Sequence, residues 1–165
     1  VTALVWEGAL GSWDMDRVVK DHYDAVYRFC ARRIGLARAG DTAQETFLTA
    51  QRALGRFRGE SSLRTWLLGI ALNECRRTIR RHGADPLPLE VDLASPTDDA
   101  AAVVDRQALA AALARLSDDH REVVLLHELQ GLTYEEVAAV LKVPVGTVKS
   151  RLHHAFLNLR KELGA

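Results

Sequence analysis

Apolar residues recur along this chain at three- and four-residue intervals, and alternating strand-like runs are nearly absent, which predicts an all-α fold. Val19, Tyr23, Val26, Tyr27, Cys30 and Ile34 share one face of a first helix, and Gly35 stops it. Asp41 and Gln44 have capping-box spacing, so a second helix is expected to begin at Asp41 and to bury Ala43, Phe47, Ala50 and Leu54. "GRFRGESS" then reads as a loop, with Ser61 or Ser62 as the N-cap of a third helix running to about Arg81. Leu63, Trp66, Leu67, Ile70 and Ala71 define its core side, and Trp66 is read as core rather than as a stacking platform.

From Gly83 to Val104 the periodicity lapses. This stretch carries three of the four prolines and reads as a linker. Beyond it, Asp105 to Leu116 forms an Ala-rich helix, and Ser117 caps another that runs through Leu129 and ends at Gly131. Thr133 and Glu136 make a capping box for "YEEVAAVLK". Pro144 and Gly146 form a tight turn, and Thr147 is the expected cap of the last helix, whose apolar stripe is Val148, Leu152, Ala155, Phe156, Leu159 and Leu163. The expected organisation is an N-terminal extension (1–15), a first helical domain (16–82), a flexible acidic linker (83–104) and a second domain (105–165) containing a helix-turn-helix.

Composition narrows the function. With 48% hydrophobic residues among 165, the chain can form a buried core, and its zero net charge argues against a surface coated uniformly in positive charge. The neutral sum hides separated patches. Asp85, Glu90, Asp92, Asp98, Asp99 and Asp105 lie in a stretch without Lys or Arg, whereas Arg76, Arg77, Arg80 and Arg81 cluster on the third helix. Cys30 and Cys75 form no C-x-x-C pair and read as buried thiols of a cytoplasmic protein, with no zinc site. No apolar run approaches the ~20 residues needed to span a bilayer, so membrane insertion is not expected. His153 and His154 diverge by about 100° as helix neighbours and do not chelate, so no metal is expected. Without a P-loop, nucleophile elbow or zinc box, the chain reads as neither an enzyme nor a cofactor binder.

Two surfaces point to nucleic acid. On the last helix Lys149, Ser150, His153, His154 and Leu157 project away from the stripe, mostly from the N-terminal half that enters the major groove in a helix-turn-helix. An ordinary helical hairpin with a solvated basic face would look similar. On the third helix Thr65, Gly69, Asn73, Arg76 and Arg80 follow one another along a polar side. Such a track suits a nucleic-acid strand, with Arg on phosphate and Asn at a base. Its alternative is a surface stripe whose arginines serve solubility.

"DTAQETFL", "FRGESSLRTWLLGIALNECRR", "LSDDHREVVLLHELQGLTYEEVA" and "VPVGTVKSRLHHA" together resemble the extracytoplasmic-function (ECF) group of bacterial RNA polymerase sigma factors, over roughly residues 16–163. The resemblance implies that Asp41, Gln44, Glu45 and Leu48 dock on the clamp helices of the largest subunit of core RNA polymerase. It implies that the loop Arg58, Gly59, Glu60, Ser61 and Ser62, with Thr65, Asn73, Arg76 and Arg80, captures the −10 element of promoter DNA. Thr133, Thr147, Lys149, Ser150, Arg151, His153 and His154 would meet the duplex −35 element. An anti-sigma factor is a further implied partner. Members of the group often carry Arg or an aromatic where this chain has His153 and His154, so base preference there does not transfer. The competing reading is a stand-alone helix-turn-helix regulator, which has no use for a docking face on the second helix.

Overall fold

The computed structural model describes residues 14–83 and 100–164, and among these every regular element is helical. Helix α1 (Met15–Ile34) starts at Asp14, whose carboxylate accepts from the Asp16 and Arg17 amides. Gly35 ends it at φ +94°, a conformation that favours glycine, and α2 (Leu36–Ala53) follows at once. The second helix thus begins at Leu36 and not at Asp41. Nothing between Leu36 and Gly40 breaks a helix, and Ala39 is fully buried, so packing extends α2 back to the glycine. Asp41 sits exposed inside it, and its spacing from Gln44 makes no cap.

After a 3-10 turn (Leu54–Arg56), Ser62 caps α3 (Leu63–His82) by accepting from the Thr65 amide. The α3 core face is rotated from expectation: Leu67, Leu68, Ala71, Leu72 and Cys75 are fully buried, while Leu63, Trp66 and Ile70 are only half-buried. Trp66 packs on Phe57, ring centroids 5.0 Å apart.

The second half opens with α4 (Ala100–Arg115), which starts ahead of the expected Asp105; residues 84–99 of the expected linker lie outside the described residues. Ser117 caps α5 (Asp118–Val124), which widens into a π-helical turn (Leu125–Leu129) before Gly131. Arg121, 8% exposed, donates to the carbonyls of Leu113, Ala114 and Leu116, satisfying the open end of α4 and fixing the α4–α5 corner. Helix α6 (Tyr134–Leu141) has the expected Thr133–Glu136 capping box and closes at Lys142 in the left-handed region. Pro144 is the N-cap of α7 (Val145–Leu163), so Gly146 and Thr147 lie within its first turn and Thr147 is not the cap. Val148, Leu152, Ala155 and Leu159 are buried as expected, but Phe156, one position off the buried stripe, and Leu163, in the last turn, are 42% and 43% exposed.

The two halves share one contiguous core, to which Phe29 and Leu72 contribute from the first and Val123 and Val137 from the second. Leu152→Ala should therefore destabilise the chain by about 2–5 kcal/mol, whereas the same change at Leu163 should cost about 0.5 kcal/mol or less. Urea denaturation of the two variants checks the pair; equal losses would mean that Leu163 is covered in solution.

Candidate nucleic-acid interface

Three surfaces carry the residues singled out from the sequence. On α2, Asp41, Gln44, Glu45 and Leu48 are all exposed, opposite Ala39, Ala43, Phe47 and Ala50 in the core. Leu48, 44% exposed, sits at a groove of about 510 Å³ that also involves Met15, Val19, Tyr23 and Phe47. Tyr23 stacks on both Tyr27 and Phe47, at 5.9 and 6.2 Å, which gives this face a rigid aromatic base.

The second surface is the loop before α3 and its polar track. Arg58, Glu60 and Ser62 are exposed, Ser61 is half-buried, and Gly59 turns the chain at φ +70°. The track residues do share a side of α3, but most of that side faces the second half of the molecule. Thr65 is 2% exposed and donates to Glu136 at 3.1 Å. Gly69 lies against Val140. Arg76 donates to both oxygens of Glu122, from Nε at 3.2 Å and Nη2 at 2.6 Å, and this bond to Glu122 raises its already high pKa. Asn73 and Arg80 remain exposed. Glu74 is turned away from the track, accepting from Thr49 and Arg77.

The third surface is the N-terminal half of α7. Lys149, Ser150, His153 and His154 are exposed together, and Thr147 is half-buried beside them. The Lys149 ammonium lies 5.4 Å from the Tyr134 ring centroid, and Tyr134 stacks on His127 at 4.6 Å. His154 stacks on His120, and its Nδ1 lies 2.8 Å from the Ser150 carbonyl. A carbonyl only accepts, so Nδ1 donates to Ser150, and Nε2 is the ring nitrogen left for a base edge. Arg151 is committed to Asp119 at 2.7 Å and braces α7 on α5. The Thr133 hydroxyl is committed to the α6 cap.

Sequence reading missed the residues that join the halves. Arg33 and Glu122 are each 2% exposed, and Arg33 donates to Glu122 from Nε and Nη2 at 3.3 and 3.0 Å. Arg64 donates from one nitrogen to both the carbonyl and the side chain of Gln130, at 2.6 and 2.8 Å. A signal existed: Arg33 stands between Cys30 and Ile34 on an apolar face, and Glu122 adjoins an apolar run, so each needed a buried partner. Among the described residues, no cluster of His, Cys, Asp or Glu could hold a metal, and no helix is long and apolar enough to cross a membrane.

Residues 18–84 match the family model for sigma-70 region 2, and residues 106–159 match that for sigma-70 region 4. The ECF RNA polymerase sigma-E factor of Salmonella typhimurium is 35% identical over 130 residues, 70% of this chain and 68% of the relative. The RNA polymerase sigma-H factor of Pseudomonas aeruginosa is 36% identical over 137 residues, 71% of this chain and 68% of the relative. Among solved structures, the sigma factor RpoE in complex with the anti-sigma factor NepR from Bartonella quintana superposes with a TM-score of 0.77 at 26% identity, over 92% of this chain and 98% of that one. CnrH in complex with the cytosolic domain of CnrY gives 0.70 at 27% identity, over 91% and 87%.

The geometry of α7 separates two roles on duplex DNA. Lys149→Ala should reduce the salt slope of binding by about one and weaken all sequences evenly. His154→Ala should instead change preference at one base pair, because it removes a ring nitrogen that can hydrogen-bond a base edge. Binding titrations across salt and across single-site variants of the target distinguish them; even, sequence-blind losses for both would assign His154 to the backbone.

Proposed function

This chain belongs to the ECF group of sigma-70 RNA polymerase sigma factors, and from that membership we propose how its surfaces divide the work of bringing core polymerase to promoters. Asp41, Gln44, Glu45 and Leu48 on α2 dock on the clamp helices of the largest subunit. Arg58 to Ser62, with Thr65, Asn73, Arg76 and Arg80, capture the unpaired non-template strand of the −10 element. Thr133, Thr147, Lys149, Ser150, Arg151, His153 and His154 hold the −35 duplex, with Arg151 acting through its brace on Asp119. The division follows the first helical domain, 16–82, and a second that opens with α4 at Ala100.

Sigma factors are initiation factors rather than enzymes, and this chain carries no catalytic chemistry of its own in our reading. Its work is positioning: phosphate contacts fix register, and base contacts choose the site. It acts in the cytoplasm, where its polymerase is. Because the similar sigma factor RpoE is in complex with the anti-sigma factor NepR, an anti-sigma factor is also a partner of this chain.

One observation carries this reading over that of a stand-alone regulator. The α2 face leaves a large apolar side chain, Leu48, exposed beside three polar residues that the fold does not use. A regulator that binds DNA alone has no need of it.

Gln44→Ala with Glu45→Ala should weaken capture by core polymerase while shifting stability by no more than about 0.5 kcal/mol. A pull-down beside a thermal melt reads both, and undiminished capture would move the docking face elsewhere. Asn73→Ala should relax selectivity at one −10 position, at a cost of about 1–3 kcal/mol per discriminated base, even on a template already unpaired there. Arg80→Ala should lower affinity without changing base preference. Promoter-library selection with each holoenzyme is the measurement; parental selectivity of the Asn73 variant would place base reading in the Arg58–Ser62 loop.

A further inference from the structure

Lys149 stands exposed on α7, and its long flexible stem leaves the ammonium unplaced unless something holds it. Other side chains of this surface are held by hydrogen bonds: Arg151 by Asp119, and His154 by the Ser150 carbonyl. Among the described residues no carboxylate pairs with Lys149. What its ammonium meets is the Tyr134 ring, 5.4 Å from Nζ to the centroid. The difference matters electrostatically. A carboxylate would cancel the charge that the helix offers to an anion, whereas an aromatic face attracts the cation through its quadrupole and leaves the net charge in place.

The ring is itself fixed from two directions. Tyr134 is the first residue of α6, and the capping box sets the backbone there: the Thr133 amide donates to Glu136 at 2.8 Å, and the Glu136 amide donates to the Thr133 hydroxyl at 3.2 Å. Against the ring lies His127, stacked with centroids 4.6 Å apart and planes 24° apart. His127 belongs to the π-helical turn after α5, and its Nδ1 donates to the Leu132 carbonyl at 2.7 Å, tying that turn to the loop before α6. Tyr134 nonetheless remains 37% exposed, so this bracing does not serve to fill the core.

We propose that Tyr134, braced by His127, is a positioning residue for the −35 duplex: its ring holds the Lys149 ammonium where α7 meets the DNA backbone. The ring occupies none of the ammonium's N–H groups, so all of them stay available to phosphate oxygens. Less rotamer freedom is lost when a phosphate arrives, because the stem is already ordered. The phenol hydroxyl has no part in this, which separates the role from a direct phosphate contact by Tyr134. The proposal rests on the reading of Lys149 given above.

The test is promoter binding by the holoenzyme, on a duplex selected from the promoter library by the parental holoenzyme. Tyr134→Leu keeps apolar bulk without a π face, and it should weaken binding about three- to fivefold. Tyr134→Phe keeps the face and should stay within about twofold of the parent. With Lys149→Ala already in place, Tyr134→Leu should add less than about twofold, because the cation it holds is gone. Equal losses for the Phe and Leu variants would transfer the role to the hydroxyl and overturn the proposal. So would a loss from Tyr134→Leu that persists in full beside Lys149→Ala, which would make Tyr134 a structural residue. Lys149→Ala without effect on affinity or salt slope would overturn the −35 reading, and the positioning with it. A clear effect of Lys149→Ala with none of Tyr134→Leu would overturn the positioning alone.

Discussion

Glu122 is a carboxylate almost fully removed from water, and the relation between the two halves depends on how it is held. It comes from α5 and accepts four N–H bonds from two arginines of the first half, Arg33 on α1 and Arg76 on α3. Asp118 adds a further contact to Arg33 at 3.3 Å from a solvated position. A buried ion cluster of this kind contributes little net stability, because desolvation offsets most of the attraction. Its effect is positional. Arg33, 2% exposed, can be tolerated there only with Glu122 in place, and removal of one partner from such a pair costs about 3–5 kcal/mol.

From that constraint follows the double use of α3. A helix in a three-helix domain needs one apolar face, and Leu67, Leu68, Ala71, Leu72 and Cys75 supply it. Cys75 lies against Cys30 in this core, and the hydrogen bond between the thiols, with burial, holds the Cys75 pKa well above its usual range. A second side of α3 is covered by α6 through polar atoms and small residues. That side mixes polar and apolar groups: Thr65 meets Glu136 and Gly69 meets Val140, with Trp66 and Ile70 half-buried beside them.

This double use also explains what could be read from the sequence. Periodicity and caps located nearly every helix, because they depend on local chemistry: Ser62, Ser117 and the Thr133–Glu136 box each cap the helix assigned to them. The errors arose where packing overrides local signals. Asp41 has the spacing of a cap, yet burial of Ala39 carries α2 through it. Thr147 looks like a cap, but Pro144 starts the helix first. Phe156 and Leu163 fit an apolar stripe, but the core takes Ala155 rather than its neighbour Phe156, and Leu163 lies in the last turn. The exposed residues of α2 and α7 were legible as the complement of their own apolar faces. The partners of Arg33, Arg64, Thr65 and Arg76 lie 46 to 89 residues away, and no local pattern encodes such pairings.

The same long-range pairings bear on how net charge should be interpreted. Equal numbers of acidic and basic residues usually read as a surface without strong preference for an anion. Here part of the balance is internal: Glu122 neutralises arginines of the first half, Asp119 takes Arg151, and Glu136 occupies Thr65. Those acids lie in α5 and α6, on the half whose recognition helix carries Lys149, His153 and His154. Arg33 and Arg76 are therefore balanced within the molecule, and they do not count toward the surface that an anion would meet. A chain that is neutral overall thus still presents cations locally, because acids such as Glu122 are engaged inward while Arg58, Arg80 and Lys149 stay exposed.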